Sequence, residues 1–255
     1  FRRVLFRSSI MLTRKRRRPD REPAVRVVRA RVRPSVPRTR GGLVQTERKY
    51  FDSGKDPALI VNTADTWASC EVDPATLNCL FAPTEGNGIE NRVGNKVMVH
   101  KITIRGRVQI DLQPNQTSMD NPVFVRLILY TDKQTNGTQA QAEDLMDSGG
   151  SLGEASYMFQ NTANFGRFQV LRDKLFQLSP SQASYDGTNI EVAGVGRLFK
   201  FTVAFKKPLQ VRFNNTNGGT VADIIDNSFH LIAHATTGGV SANIDYKVRT
   251  VFTDP

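Results

Sequence analysis

The chain has 255 residues, 39% of them hydrophobic and 23% charged, with a net charge of +11. That length suits one large domain, since all-β domains commonly reach it. No apolar stretch approaches the roughly 18 residues of a transmembrane helix, and Arg7, Ser8 and Ser9 break the short apolar run that would open a secretory signal, which excludes membrane insertion and a recognisable export leader as expectations.

Residues 1–10 read as a non-native extension. The first methionine is Met11, and Val4-Leu5-Phe6-Arg7-Ser8 can be read as translated sequencing-adapter DNA, so native translation is expected to start at Met11.

Residues 11–42 form the next segment. Across residues 1–40 the chain places 15 of its 35 Lys and Arg but 2 of its 24 Asp and Glu, a net +13 that leaves the remainder at −2. The run Arg14-Lys15-Arg16-Arg17-Arg18-Pro19 is followed by Arg21, Arg26, Arg29, Arg31, Arg33, Arg38 and Arg40. Prolines at 19, 23, 34 and 37 interrupt any helix, and like charges with little apolar surface cannot offset ordering entropy. A disordered arm is expected, hinged at Gly41-Gly42. These twelve cations are the candidate nucleic-acid-binding residues, because each can neutralise a phosphate and release counterions. Arginine also grips phosphate with two donors and stacks on unpaired bases. The absence of aromatics from Met11–Arg40 favours backbone neutralisation over sequence reading. The Arg14–Pro19 cluster also reads as a nuclear localisation signal.

Residues 43–255 read as one β domain. Lys96–Leu112 alternates, with Val97 and Val99 in one phase and Ile102 and Ile104 in the other, so a bulge is expected near His100-Lys101 and a second bend at Gly106. Val123–Thr131 is apolar at nearly every position, the mark of a strand covered on both sides. Further strands are expected at Phe168–Leu171, Lys174–Leu178, Leu198–Phe205, Leu209–Asn214, Phe229–Ala235 and Ile244–Phe252, with one short helix at Ala140–Met146. Eight strands without βαβ alternation indicate an all-β sandwich or jelly roll.

No catalytic constellation assembles, and no enzyme activity, cofactor or metal is expected. The histidines are His100, His230 and His234. The last two share a strand face, where a surface or subunit-contact role outweighs a metal pair that lacks further ligands. Cys70 and Cys79 fit neither a zinc pattern nor a disulfide framework and suggest reduced thiols in a reducing compartment. Gly86-Asn87-Gly88 through Lys96 lacks the Lys-Ser/Thr ending and following helix of a phosphate loop, and reads as a turn into a strand. Asp223 and Asp226 lie in a loop with nothing to mark them as catalytic. Asn115, Asn136 and Asn214 begin glycosylation triplets that read as chance matches in polar loops.

Several motifs then stand in a suggestive order after the arm: Glu47-Arg48-Lys49-Tyr50-Phe51-Asp52, Trp67, Leu80-Phe81-x-Pro83 and Gly86-x-Gly88 with Asn91-Arg92-x-Gly94. Phe168-x-Val170-Leu171-Arg172-Asp173-Lys174, Phe199-Lys200-Phe201 and Tyr246-x-x-Arg249 continue it. In this order the chain resembles capsid proteins of small circular single-stranded DNA viruses that encode a replication initiator, the geminivirus- and circovirus-like agents. The resemblance implies an eight-stranded jelly roll that self-assembles into an icosahedral shell, with the arm facing a single-stranded DNA genome. It further implies a structural protein of the virion that visits the host nucleus through import receptors. Two other readings stay open from the residues alone. The arm cannot tell DNA from RNA, so a small RNA or satellite virus capsid fits it. A non-capsid nucleic-acid-binding protein with a basic tail fits as well.

Overall fold

A computed structural model describes residues 47–61, 68–69, 79–111, 123–147, 157–178, 183–185, 190–192, 196–235 and 241–254. The chain divides into two units, Phe1–Leu43 and Val44–Pro255, and every described residue belongs to the second. The strands are β1 (Lys49–Val61), β2 (Ala68–Ser69), β3 (Lys96–Asp111), β4 (Val123–Asp132), β5 (Phe168–Leu178), β6 (Ala183–Tyr185), β7 (Ile190–Val192), β8 (Gly196–Phe213), β9 (Ile224–Asp226), β10 (Ser228–Ala235) and β11 (Ser241–Thr253). One short helix, α1 (Ala142–Leu145), falls inside the expected 140–146 segment.

One sheet runs in the order β1-β11-β3-β8-β9 and the other in the order β2-β10-β4-β5, with β6 and β7 as a separate pair. Setting aside the three-residue strands β6, β7 and β9, eight strands remain. The first pairs with the eighth (β1 with β11), the second with the seventh (β2 with β10), the third with the sixth (β3 with β8) and the fourth with the fifth (β4 with β5), all antiparallel. That nested pairing is the winding of a jelly roll.

The eight strands are not the eight segments expected from sequence. Phe168–Leu171 and Lys174–Leu178 are one continuous strand, β5, and Leu198–Phe205 and Leu209–Asn214 merge into β8. The two places so vacated are filled by β1 and β2, which alternation did not reveal. In β8 the segment from Phe205 to Pro208 falls at a register shift, between Ala204 opposite Lys101 and Leu209 opposite Val99. A proline therefore sits inside a long strand without interrupting an even ladder.

The expected bulge in β3 is at His100, which is skipped against both neighbours while Val99 and Lys101 pair on either side. The extra residue brings Val97, Val99, Ile102 and Ile104 to the same face, and all four are fully buried. Gly106 lies in an unbroken register on both sides. What requires glycine there is close packing: a Cβ would meet the Asp245 carbonyl and stand 2.7 Å from the Phe199 ring.

The main core fills the space between the sheets, with Ile104 and Val108 of β3, Leu127 and Leu129 of β4, Leu231 of β10 and Ile244 of β11 among its members. Each such side chain contributes about 1.5–3 kcal/mol when removed from water. On the outer face of β4, Ile128 and Tyr130 join Ile232, Leu145, Met146 and Phe168 in a second cluster. Strand β4 is thus buried on both faces, as its continuous apolar run predicted.

Candidate nucleic-acid interface

The arm candidates Arg14, Lys15, Arg16, Arg17, Arg18, Arg21, Arg26, Arg29, Arg31, Arg33, Arg38 and Arg40 lie outside the described residues, as do Trp67 and Cys70. Where the chain enters the described body, at β1, several short motifs converge. Lys49 Nζ donates to the Asn91 carbonyl at 3.0 Å and pairs with Asp254 at 2.9 Å. Tyr50 N–H donates to the Ile89 carbonyl at 3.1 Å. Phe51 meets the fully buried Phe81 edge-on at 5.6 Å, and Phe81 in turn packs edge-on against Phe252 and Phe213.

The glycine-rich turn before β3 closes the same end. It is a turn into a strand, as its composition suggested, and its buried centre is Arg92, at 0% exposure. The Arg92 guanidinium donates to the Gly94 and Thr216 carbonyls and to the Asn95 side-chain oxygen, and stands 4.7 Å over the Phe213 ring. Asp223 completes the neighbouring loop by accepting from the Thr216 and Thr220 hydroxyls and the Thr220 N–H. Burial pushes the Asp223 carboxyl up, and these hydrogen bonds, with nearby Arg92, outweigh it and hold it below its usual range. Asp226 pairs with Arg212 at 2.5 Å. Both aspartates organise loop and strand, and neither faces a catalytic partner among the described residues.

The histidines differ from their expected placement at a sheet surface or subunit contact. His230 and His234 are fully buried, because the outer face of β10 is covered in part by the second apolar cluster. His230 stacks on Tyr130 at 5.3 Å and meets the Ser228 hydroxyl at 2.6 Å. Burial pushes its pKa down to about 4. Cys79 is buried, and burial raises its thiol to about 11. Among the described residues, no three or more His, Cys, Asp and Glu side chains gather as a metal site would require, and no helix is long and apolar enough to cross a membrane.

The outer face of the β1-β11-β3-β8 sheet carries a concavity of about 570 Å³ whose lining includes Tyr50, Asp52, Lys101, Arg105, Lys200 and Lys247. Some cations on this face are answered by carboxylates. Arg249 grips Asp52 through two bonds of 2.7 and 2.5 Å, which holds the Asp52 carboxyl below its usual range, and Arg107 pairs with Asp245 at 2.9 Å. Lys101, Arg105, Lys200 and Lys247 are exposed and, among the described residues, make no ion pair. Composition hid this patch because its members come from three strands. The alternation Lys101-x-Thr103-x-Arg105-x-Arg107 along β3 is the trace it leaves in sequence.

A family model described as the Geminivirus coat protein/nuclear export factor BR1 family matches residues 14–254. No curated protein matches the sequence. Among solved structures, the crystal structure of dimeric latent PorU from Porphyromonas gingivalis is similar over 82% of this chain at 10% identity and a TM-score of 0.28. This chain spans 13% of that one, and a likeness so slight carries no argument.

Proposed function

This chain belongs to the Geminivirus coat protein/nuclear export factor BR1 family, and from that premise we propose that it closes into an icosahedral shell and packages a single-stranded DNA genome through its arginine-rich arm. Membership supports a viral capsid protein of the virion, a structural and non-enzymatic kind of protein. The observation that carries the finer reading is the division of charge. Residues 11–40 hold 12 basic and 2 acidic groups, whereas everything after residue 40 nets −2. A shell of about 60 copies would hold roughly 600 arm charges, enough to offset several hundred phosphates. Arms gathered without nucleic acid would repel one another, so assembly depends on nucleic acid or on high salt. A near-neutral body lets subunits pack side by side without long-range repulsion.

In this reading residues 11–42 are the nucleic-acid-binding arm, residues 43–255 the jelly-roll shell domain, and residues 1–10 an extension foreign to both. The Arg14–Arg18 cluster doubles as the signal that import receptors read on the way to the nucleus. Substituting glutamine for the twelve arm cations tests the assignment. The substituted protein should keep its fold and lose nucleic-acid content, and packaging at the wild-type level would overturn it.

A further inference from the structure

Lys247, Arg105 and Lys200 stand directly abreast on three adjacent strands, β11, β3 and β8: Lys247 is the register partner of Arg105, and Arg105 of Lys200. We propose that this row, with neighbouring Lys101, is a second phosphate-binding surface that holds the backbone of single-stranded DNA on the folded body, in addition to the arm. The inference rests on the packaging reading and deepens it.

Like charges placed directly opposite one another destabilise a sheet. Three in a row, without a carboxylate among the described residues, are therefore a cost that folding alone does not explain. The same face shows the alternative, since Arg249 is answered by Asp52 and Arg107 by Asp245. At a strand spacing of about 4.8 Å, the row spans about 10 Å across the sheet. Its next position, on β1, is Gly54 opposite Lys247, so no side chain closes that end. The residues line an open concavity, and Tyr50, 40% exposed, offers a ring on which a base can stack. A flexible single strand can follow a concave face and turn one base toward that ring.

The occupant follows from sequence order. Arg40 precedes Tyr50 by ten residues, a length of chain no longer than about 35 Å. A strand neutralised by the arm is therefore tethered to the same polypeptide as the row, and the second contact forms at high effective concentration. A sulfated polysaccharide offers similar anions but no base to stack on Tyr50.

The test is fluorescence-anisotropy binding of a short oligodeoxythymidylate to the full chain, as unassembled subunits, across a salt series. The wild-type chain is compared with R105Q/K200Q/K247Q, with R105Q alone and with the charge-preserving R105K/K200R/K247R. Three lost phosphate contacts should flatten the slope of log affinity against log salt by about 2, and the central one alone by about 0.7. The charge-preserving variant should keep the wild-type slope. The triple glutamine variant should melt no lower than wild type, because it relieves repulsion. If it unfolds instead, R105Q alone decides the matter. Slopes unchanged in a wild-type chain that binds would overturn the row and leave packaging by the arm standing. A wild-type chain that fails to bind the oligonucleotide would overturn the packaging reading itself. Loss of heparin binding with DNA binding intact would assign the row to sulfated polysaccharide and overturn the proposal.

Discussion

The guanidinium of Arg92 lies 4.7 Å over the ring of Phe213, with the arginine side chain entirely buried. A charge so placed is tolerated because its planar fork meets the carbonyls of Gly94 and Thr216, tying the glycine-rich turn to the loop that follows β8. Arg92→Leu should cost about 2–4 kcal/mol in denaturant unfolding, because it removes the charge-assisted hydrogen bonds that hold the turn to the Thr216 loop. Arg92→Lys should recover little of that, having neither the fork nor the planar face.

Gly106 has no room for a side chain between the Asp245 carbonyl and the Phe199 ring. Gly106→Ala should therefore lower stability by about 1–3 kcal/mol through overpacking. A paired Phe199→Leu substitution should return part of the loss, measured as a coupling energy in a double-mutant cycle.

Burial depresses the His230 pKa to about 4, with Asp132 opposing the shift and Arg167 adding to it. An unfolded histidine titrates near 6.5, so between about pH 6.5 and 4 the unfolded chain binds the proton first. The stability due to neutral His230 is complete above about pH 6.5 and is lost as pH falls toward 4, about 3 kcal/mol in all. His230→Phe keeps a ring against Tyr130 and removes the titration. Unfolding of unassembled subunits at about pH 7 and about pH 5 should show a smaller acid loss in the variant, and an equal loss would contradict this account.

The Cys79 thiol is buried and pushed up to about 11. Alkylating reagents should leave it unmodified in the native protein and label it on unfolding, read by peptide mass mapping.

The fold was legible where burial imposed a period. Strands β3, β4, β10 and β11 were found because alternation, or a double-sided apolar run, followed from their neighbours. Strand β1 escaped because Gly54 and Pro57 interrupt Lys49–Val61 and hydrophilic Lys49, Asp52 and Lys55 punctuate its apolar positions. Strand β5 was split at Arg172-Asp173, where charged side chains stand on a partly exposed strand, and β8 was split at Lys206-Lys207-Pro208, where a register shift absorbs the proline. The buried histidines were missed for a related reason: a two-residue period shows that His230 and His234 share a face, not that a second cluster covers it.

The candidate site divides in the same way. The arm is legible from composition because its chemistry is additive charge, which needs no fold to be counted. The cation row of Lys247, Arg105 and Lys200 exists only once three strands distant in sequence are set in register. Motifs such as Lys49–Asp52, Leu80-Phe81 and Arg92 prove to be the pins and plugs of one end of the sandwich.

Assembly itself tests the central claim most directly. Residues 11–255, expressed and treated with nuclease, should sediment as uniform closed particles that protect single-stranded nucleic acid, visible by electron microscopy. A slow, monodisperse monomer or dimer, persisting with nucleic acid supplied and salt varied, would contradict the shell and favour a nucleic-acid carrier on the nuclear-export side of the family.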